Sequence, residues 1–444
     1  VTDLVDAALA DAWQTSWSRL VGLLIGQYQR PDLAEDAVAD AFESAARHWP
    51  ADGVPTNTGA WLLTAARRRV LDRLRTEAVH RRKEPLMAVD DEMRAAAAAV
   101  VDPFDGAHVA DEQLRLVFAC CHPALAADDR VALTLRFVVG LTTAEIARLL
   151  LVQETAMAAR LTRAKKRLAS SGIPFAVPPP GQLDSRLDAV ATVLYLMFTS
   201  GYQPGSGPVT LRVDLGDEAI WLVRQLSVLL PGRAVLSSLL ALMLLQHSRR
   251  DTRLSPSGQI VLLPDQDRSR WHGEEIAEAV ALLASEEPDR ARRAADGATS
   301  GGPVARESAE GSSGAAPASQ LAQEYRLQAL IAAEHATAPS SADTRWSRIC
   351  TLYASLEDLT GSPVVRLARA VAVAEAYGPT AGLALLDGLD EALPRHHRLP
   401  AVRAELLVRA GDPAAAATEY ERALALVTND AERTHLTTRL STLR

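Results

Sequence analysis

The residues of this chain best suited to chemistry are cations, and the chemistry they suit is charge neutralisation. Between Gln153 and Leu168, Arg160, Arg163, Lys166 and Arg167 share one side of a helical pattern whose other side is Met157, Leu161, Ala164 and Leu168. Such a helix sets its apolar face in a core and offers the other to phosphate. Before it comes Leu141–Leu150, where Thr142 stands three residues ahead of Glu145. That is the spacing of a capping box, in which hydroxyl and carboxylate each take one orphan backbone N–H. Ile146, Leu149 and Leu150 give this first helix its apolar face, and Leu151-Val152-Gln153 is the turn. Two short helices, the second basic, are what a helix-turn-helix needs to enter a major groove. A surface helical hairpin is the plain alternative.

A second basic group lies upstream. Arg67, Arg68, Arg69, Arg73 and Arg75 are threaded through Trp61, Leu62, Leu63, Ala66, Val70, Leu71 and Leu74. Arginines beside an aromatic residue suit unpaired bases that stack and phosphates that need a counter-charge. Trp49 and Trp61 read equally well as core residues. Asp32, Glu35, Asp36, Asp40 and Glu43 line one side of the helix predicted over Leu33–His48, opposite Ala34, Ala37, Val38, Ala41 and Phe42. No Lys or Arg follows them before Arg47. Such a face is either solvated surface or a seat for a basic protein partner. Asp32 with Glu35 resembles a second capping box.

Catalytic patterns are missing: no motif holds paired carboxylates, a Gly-rich phosphate loop or a nucleophile beside a base, so no enzyme is expected. In Cys120-Cys121-His122 the cysteines are adjacent and lack a second pair nearby, which does not match zinc spacing. They read as buried helix residues, and no metal or cofactor is expected.

The elements that position these groups follow from pattern and composition. The 444 residues exceed one ordinary domain, 48% of them are apolar, and no apolar run is long enough to span a bilayer. Val1–Asp6 is acidic, without the basic-then-apolar pattern of a signal peptide, and the three cysteines are too few for a disulfide framework. The expectation is a cytoplasmic protein with no membrane partner. The net charge of −8 conceals the two basic islands, and the islands are the more informative feature.

The fold class predicted is all-α. Trp13, Trp17, Leu20, Val21, Leu24 and Ile25 mark a helix over 12–29, and Trp49–Gly59 has loop composition. Residues 10–83 form a first small domain, 84–110 a linker, and 111–172 a second domain containing the helix-turn-helix. In that second domain Asp128 or Asp129 caps a helix that Gly140 ends. Residues 173–183 hold Pro174, Pro178, Pro179 and Pro180, a stiff connector. A helical extension follows over 184–295. Within it Gln259–Leu263 reads as a short strand or half of a small hairpin, and Asp265–Trp271 as a buried ion-pair hub in preference to a plain loop. Residues 296–320 are Gly/Ser/Ala-rich and predicted disordered. Over 321–444, Arg369-Ala370 recurs as Arg403-Ala404, Ala376 as Ala410, and Pro379 as Pro413. That is the 34-residue spacing of tetratricopeptide-like helix pairs.

The order of parts resembles a bacterial sigma factor of the extracytoplasmic-function type over residues 10–172. The resemblance is carried by Leu33–Phe42, Ala60–Arg75 and the helix-turn-helix ending Arg160–Leu168. Cys120–Leu125, Leu151–Ala158, Asp265–Trp271 and the repeat-like tail resemble the subgroup with a long helical C-terminal extension. Arg68 stands where the family commonly has Asn, Gln153 where the subgroup often has Pro, and 296–320 looks like an insertion. The resemblance implies core RNA polymerase and promoter DNA as partners. Asp32, Glu35, Asp36, Asp40 and Glu43 would dock on the polymerase clamp. Trp61, Arg67, Arg68, Arg69, Arg73 and Arg75 would capture the melted minus-ten strand. Glu154, Thr155, Ala158, Ala159, Arg160, Arg163, Lys166 and Arg167 would read the minus-thirty-five element. The C-terminal module would regulate in cis, with a protein or small-molecule signal. A DNA-binding regulator with a repeat domain, acting outside the holoenzyme, is the alternative.

Overall fold

The computed structural model describes residues 2–81, 106–150, 152–202, 213–255, 261–285, 319–427 and 430–443. Two compact units divide the chain, Val1–Leu194 and Tyr195–Arg444. Among the described residues every regular element is helical, as the patterning predicts.

The first unit begins with α1 (Thr2–Tyr28), α2 (Pro31–Asp52) and α3 (Thr58–Arg81). The predicted stripes are the core: Trp17, Leu20 and Leu24 of α1, Val38 and Phe42 of α2, and Leu62, Ala66 and Val70 of α3 are buried. Two expectations for α2 need correcting. It starts at Pro31, whose preset φ suits the first helical position, and Arg30 before it makes no side-chain cap, so Asp32 and Glu35 form no capping box. It also runs through Trp49 and Pro50 to Asp52, where composition predicts a loop. Trp49 is fully buried and meets Trp61 edge-on at 5.7 Å between ring centroids. That contact holds the last turn in place, and a proline there forfeits only one hydrogen bond.

The helix-turn-helix part comprises α4 (Gly106–Cys120), α5 (Ala127–Leu133), a π-helical stretch Thr134–Val139, α6 (Thr143–Leu149) and α7 (Glu154–Ser170). The capping box forms at α6: Glu145 N donates to Thr142 Oγ1 at 3.2 Å, and Thr142 N to Glu145 Oε2 at 2.7 Å. Ala126, not Asp128 or Asp129, occupies the cap position of α5. The two aspartates lie in its first turn, where they complement the positive end of the helix dipole. Gly140 ends the π-helical stretch at φ 87°, as expected of the residue closing that helix. Cys120 and Cys121 are buried, and no cluster of three metal-ligating side chains occurs among the described residues.

The compact unit reaches beyond the proline-rich connector. In α8 (Pro180–Tyr202), Leu187, Val190, Val193 and Leu194 are buried, and Arg186 Nη2 donates to Phe118 O at 2.8 Å. By compactness the first unit ends at Leu194, inside α8.

The second unit contains α9 (Val213–Leu229), α10 (Ala234–His247), α11 (Gly273–Ser285), α12 (Gln320–Ala336), α13 (Trp346–Thr360) and α14 (Pro363–Tyr377). Helix α10 is apolar all round and buried along its length, with α9, α11 and α12 packed against it. Of the strand predicted over Gln259–Leu263, Gln259 and Ile260 lie outside the described residues, and Leu263–Asp265 is a 3-10 turn. Asp265–Trp271 is not an ion-pair hub. Asp265, Asp267 and Arg270 are exposed, whereas Trp271 is buried and donates from Nε1 to Thr252 Oγ1 at 3.0 Å. Residues 296–318 of the insertion lie outside the described residues, and Ser319 caps α12.

Helices α15 (Pro379–Leu385), α16 (Leu389–Ala392), α17 (Arg398–Ala410), α18 (Pro413–Leu426) and α19 (Asp430–Ser441) complete the chain. The 34-residue spacing reappears as ion pairs between successive helix pairs. Glu375 binds Arg409 at 2.5 Å, Arg398 binds Glu432 at 2.9 Å and Glu405 binds Arg439 at 2.6 Å, each across 34 positions. A repeating unit stacked on its neighbour brings equivalent positions together in this way.

One buried group of the second unit makes its stability depend on pH. His247, 1% exposed, presents Nδ1 to the Tyr202 hydroxyl and Nε2 to Asp217 Oδ1 at 3.0 Å. Burial first, then the charges of Arg250, His272 and Arg253, pushes its pKa from 6.5 down to about 3. The unfolded chain therefore takes up a proton below about pH 6.5 that the folded one refuses, so stability is full above that pH and falls as pH drops towards 3. The limiting slope is roughly 1.4 kcal/mol per pH unit. Urea unfolding between pH 7 and 4 should show His247→Gln flattening this acid limb. An unchanged limb would refute the assignment.

Candidate nucleic-acid interface

Helix α7 carries the strongest site. Met157, Leu161, Ala164 and Leu168 are buried, which turns Glu154, Thr155, Ala158, Ala159, Arg163, Lys166 and Arg167 to the surface. Arg160 is half-buried, with Nη2 3.6 Å from Asp128, and Arg167 Nη1 lies 3.6 Å from Asp129. Both pairs are long and surface-placed, so they hold the side chains loosely. The basic face is presented on a helix fixed from below.

The arginine-rich face of α3 is more constrained. Arg68 and Arg69 are exposed, Arg67 is half-buried, and Arg75 approaches Asp72 at 3.5 Å. Arg73 is tied back: Nη1 donates to Asp36 at 2.7 Å and Nη2 to Asp40 at 3.4 Å. Those hydrogen bonds raise the Arg73 pKa, Asp36 contributing most. Trp61 is half-buried against Trp49, so it serves the core and still shows an edge.

The acidic face of α2 is therefore not uncompensated. Arg30 Nη2 binds Asp32 at 2.8 Å while its Nη1 reaches Glu77 at 3.0 Å, and Arg47 binds Glu43 at 2.6 Å. The compensation is out of reach of a local pattern because Arg73 comes from the next helix. Asp32, Asp36, Asp40 and Glu43 remain at the surface or partly so. Glu35 does not: at 1% exposure its carboxylate is enclosed by the helix-turn-helix part.

Arg136 of the π-helical stretch donates from Nε to Glu35 Oε1 at 2.6 Å and again from Nη2, and Lys165 of α7 binds Oε2. Arg136 also donates from Nη1 to Leu141 O at 2.6 Å, so it ties the turn before α6 to the same carboxylate. Around this latch, Trp13 and Trp17 stack at 4.3 Å and abut Gly140. Gln113 Nε2 donates to Ser18 Oγ at 3.1 Å, and Phe175 of the connector lies against Gly26. Sequence reasoning missed Arg136 and Lys165. The available signal was Arg136 alone in the apolar run Leu133–Val139, where a cation must find a buried partner.

Two small helical domains, an acidic-and-arginine bundle followed by a capped helix-turn-helix, define a DNA-binding protein of the sigma-70 type. The sigma-70 region 2 family matches residues 3–79 and the sigma-70 region 4 family residues 115–168. A family of unknown function, DUF6596, matches residues 186–287. An uncharacterized protein of Rhizobium meliloti (strain 1021) is 38% identical over 442 residues, covering 100% of this chain and 96% of that protein. The ECF RNA polymerase sigma factor SigK of Mycobacterium sp. (strain KMS) is 32% identical over 149 residues, 31% of this chain and 69% of that protein. No solved structure matches. The chain belongs to the extracytoplasmic-function sigma factors, in the form with a helical C-terminal extension. Its function is that of a sigma factor, directing RNA polymerase in promoter recognition, and a regulator outside the holoenzyme is not favoured. Among the described residues no helix is long and apolar enough to cross a membrane.

Gly140 is the tightest point of the latch. A Cβ there would lie 2.8 Å from Trp17 Cδ1 and 3.0 Å from Trp13 Nε1, on a backbone at φ 87°. Gly140→Ala should therefore cost at least about 2 kcal/mol, from left-handed backbone strain and overpacking together. Thermal unfolding of the variant checks this, and an unaltered melting temperature would contradict it.

Proposed function

We propose that the two domains divide promoter recognition between them. The exposed face of α7 reads the minus-thirty-five element, through Arg160, Arg163, Lys166 and Arg167 with Glu154, Thr155, Ala158 and Ala159 at its entry. The arginine face of α3, with Trp61 at its start, takes the melted minus-ten strand. Surface acids of α2, Asp32, Asp36, Asp40 and Glu43, face the polymerase clamp. The work is binding and positioning with no catalytic step, and the C-terminal unit regulates it in cis. The observation that supports the reading is the surface placement of Arg163, Lys166 and Arg167 on α7, in a helix-turn-helix whose capping box is complete.

This reading requires the latch to open. Elements centred near minus thirty-five and minus ten lie about 25 base pairs, roughly 85 Å of B-DNA, apart from centre to centre, whereas α2 and α7 share one carboxylate at Glu35. The free chain is a closed form in which Lys165 and Arg136 are held on Glu35. Glu35 is thus withdrawn from the docking face and acts as its internal clasp. Occupation of α2 by polymerase and separation of α7 from it are coupled events.

Arg160→Ala or Arg163→Ala should cost about 1–3 kcal/mol of promoter affinity if the guanidinium is bidentate to guanine. A phosphate contact would instead weaken all sequences alike and flatten the salt dependence by about one unit. Run-off transcription with core polymerase, beside promoter-binding titrations in graded salt, measures both. Two variants with wild-type affinity and salt slope would remove α7 from the role.

Glu35→Gln leaves two cations facing a neutral amide. It should destabilise the closed form by about 3–5 kcal/mol, raise the radius of gyration in solution scattering, and leave binding to core polymerase intact. Loss of polymerase binding with unchanged compactness would make Glu35 a docking residue and not a clasp.

A further inference from the structure

Three small residues are spaced four apart on α1: Ser18, Gly22 and Gly26. In a helix that spacing sets them in one row, and a row with little or no side chain lets another backbone come close. Helix α4 occupies the first part of it. Gln113 Nε2 donates to Ser18 Oγ at 3.1 Å, and a Cβ added at Gly22 would lie 3.0 Å from the backbone oxygen of Glu112. At Gly26 the row meets a second element. A Cβ there would lie 3.4 Å from Phe175 Cε1 and 3.1 Å from Glu112 Oε2. The phenyl ring of the connector and the end of an α4 side chain thus close over the last glycine together. Glycine weakens a helix interior, so the close approach of α4 and Phe175 is what these two positions provide.

Phe175 is half-buried, with Pro174 directly before it and Pro178, Pro179 and Pro180 after it. Proline fixes φ, so the ring is presented by a stretch with few alternative shapes. The same stretch is tied at its far end, where Arg186 of α8 donates to Phe118 O of α4 at 2.8 Å. The connector therefore joins α1 of the first domain to α4 of the helix-turn-helix part. Glu35 joins other elements, α2 to the π-helical stretch and α7. Separating the two domains has to undo both ties, and they differ in kind. Phosphate or a basic partner can compete for the charged groups of the latch, whereas neither competes for a phenyl ring seated on glycine. Release of that ring has to come through the connector. Helix α8 begins at Pro180, directly behind the connector, and the same helix carries the chain into the second unit. A rearrangement that displaces its first turn moves Phe175 with it.

We propose, on the reading that the closed chain must open at a promoter, that Phe175 is a positioning residue. Seated at the end of the Ser18–Gly22–Gly26 row, it holds the helix-turn-helix part against α1. Through it the C-terminal extension sets how readily the two DNA-binding domains separate. The glycines of the row are the receiving half of the same device, because a side chain at Gly22 would push α4 away from α1.

The test uses the full chain with spin labels at Ala46→Cys on α2 and Ser170→Cys at the end of α7, both exposed. Cys120, Cys121 and Cys350 are buried and stay unlabelled. Label-to-label distances report the closed chain and any longer, open population. Phe175→Ala should raise the ratio of open to closed about fivefold or more, the loss of a partly buried phenyl contact. Binding to core polymerase should tighten by the same factor, because apparent affinity follows the open fraction while that fraction is small. Phe175→Leu, which keeps an apolar side chain on the row, should restore most of the closed population. Gly22→Leu should open the chain as Phe175→Ala does, although leucine is the better helix former. Gly26→Ala, which meets Phe175 at an ordinary contact distance and otherwise the flexible end of Glu112, should stay closed. A merely structural Phe175 would lower the melting temperature on replacement and leave distances and polymerase affinity alone. The proposal fails if Phe175→Ala keeps the wild-type distances, or if Gly22→Leu stays closed. Longer distances with unchanged polymerase affinity would uphold the role of Phe175 and overturn the reading that polymerase takes the open chain.

Discussion

A single buried carboxylate organises the first half of this protein. Glu35, 1% exposed, takes one cation from the π-helical stretch and another from α7. A charge withdrawn from water to that extent survives only when paired, and breaking such a pair by removing one member costs several kcal/mol. Much else in the unit is consistent with this constraint. Gly140 has to be a glycine so that Trp13 and Trp17 can close against the turn, and Arg136 spends its remaining nitrogen on Leu141 O. Cations suited to DNA phosphate rest on carboxylates of the same chain.

The same logic recurs on α2 at lower stakes. Arg73 sits on Asp36 and Asp40, and Arg30 bridges Asp32 and Glu77, in pairs that stay in contact with solvent. Exposed pairs contribute little to stability and separate readily. The acidic helix therefore holds three cations of the DNA-binding domains with graded firmness: Arg73 loosely, Arg136 and Lys165 tightly. A basic partner docking on α2 would compete for Asp36 and Asp40 and displace the loosely held Arg73 first.

The second unit solves a different problem, how to bury a long helical array. Around α10 the solution is an all-apolar helix wrapped by its neighbours, and further on it is repetition. Pro379 and Pro413 both stand at the first position of a helix, and the ion pairs spaced by 34 residues stitch one pair of helices to the next. Each of Arg369 and Arg403 also reaches a carboxylate on a helix before its own, Glu357 and Asp390. Repetition makes equivalent contacts recur, and for that reason the register is readable even where the residues have diverged.

Local chemistry was legible from the residues alone. The capping box at Thr142, the left-handed Gly140, the buried stripe of α7 and the 34-residue period each depend on neighbours within a few turns or on repetition, and a linear pattern records both. The all-α class and the order of the two DNA-binding domains follow from the same information. What the tertiary structure decided was the destination of each charge. The pattern of α2 reads as an open acidic face because its partners, Arg73, Arg136 and Lys165, lie 37, 101 and 130 residues away from their carboxylates. Trp49 extends α2 through a proline for a similar reason, since Trp61 rewards the turn that composition disfavours. Electrostatic pairing and core packing are set by distance in space, and no periodicity in the chain encodes that distance.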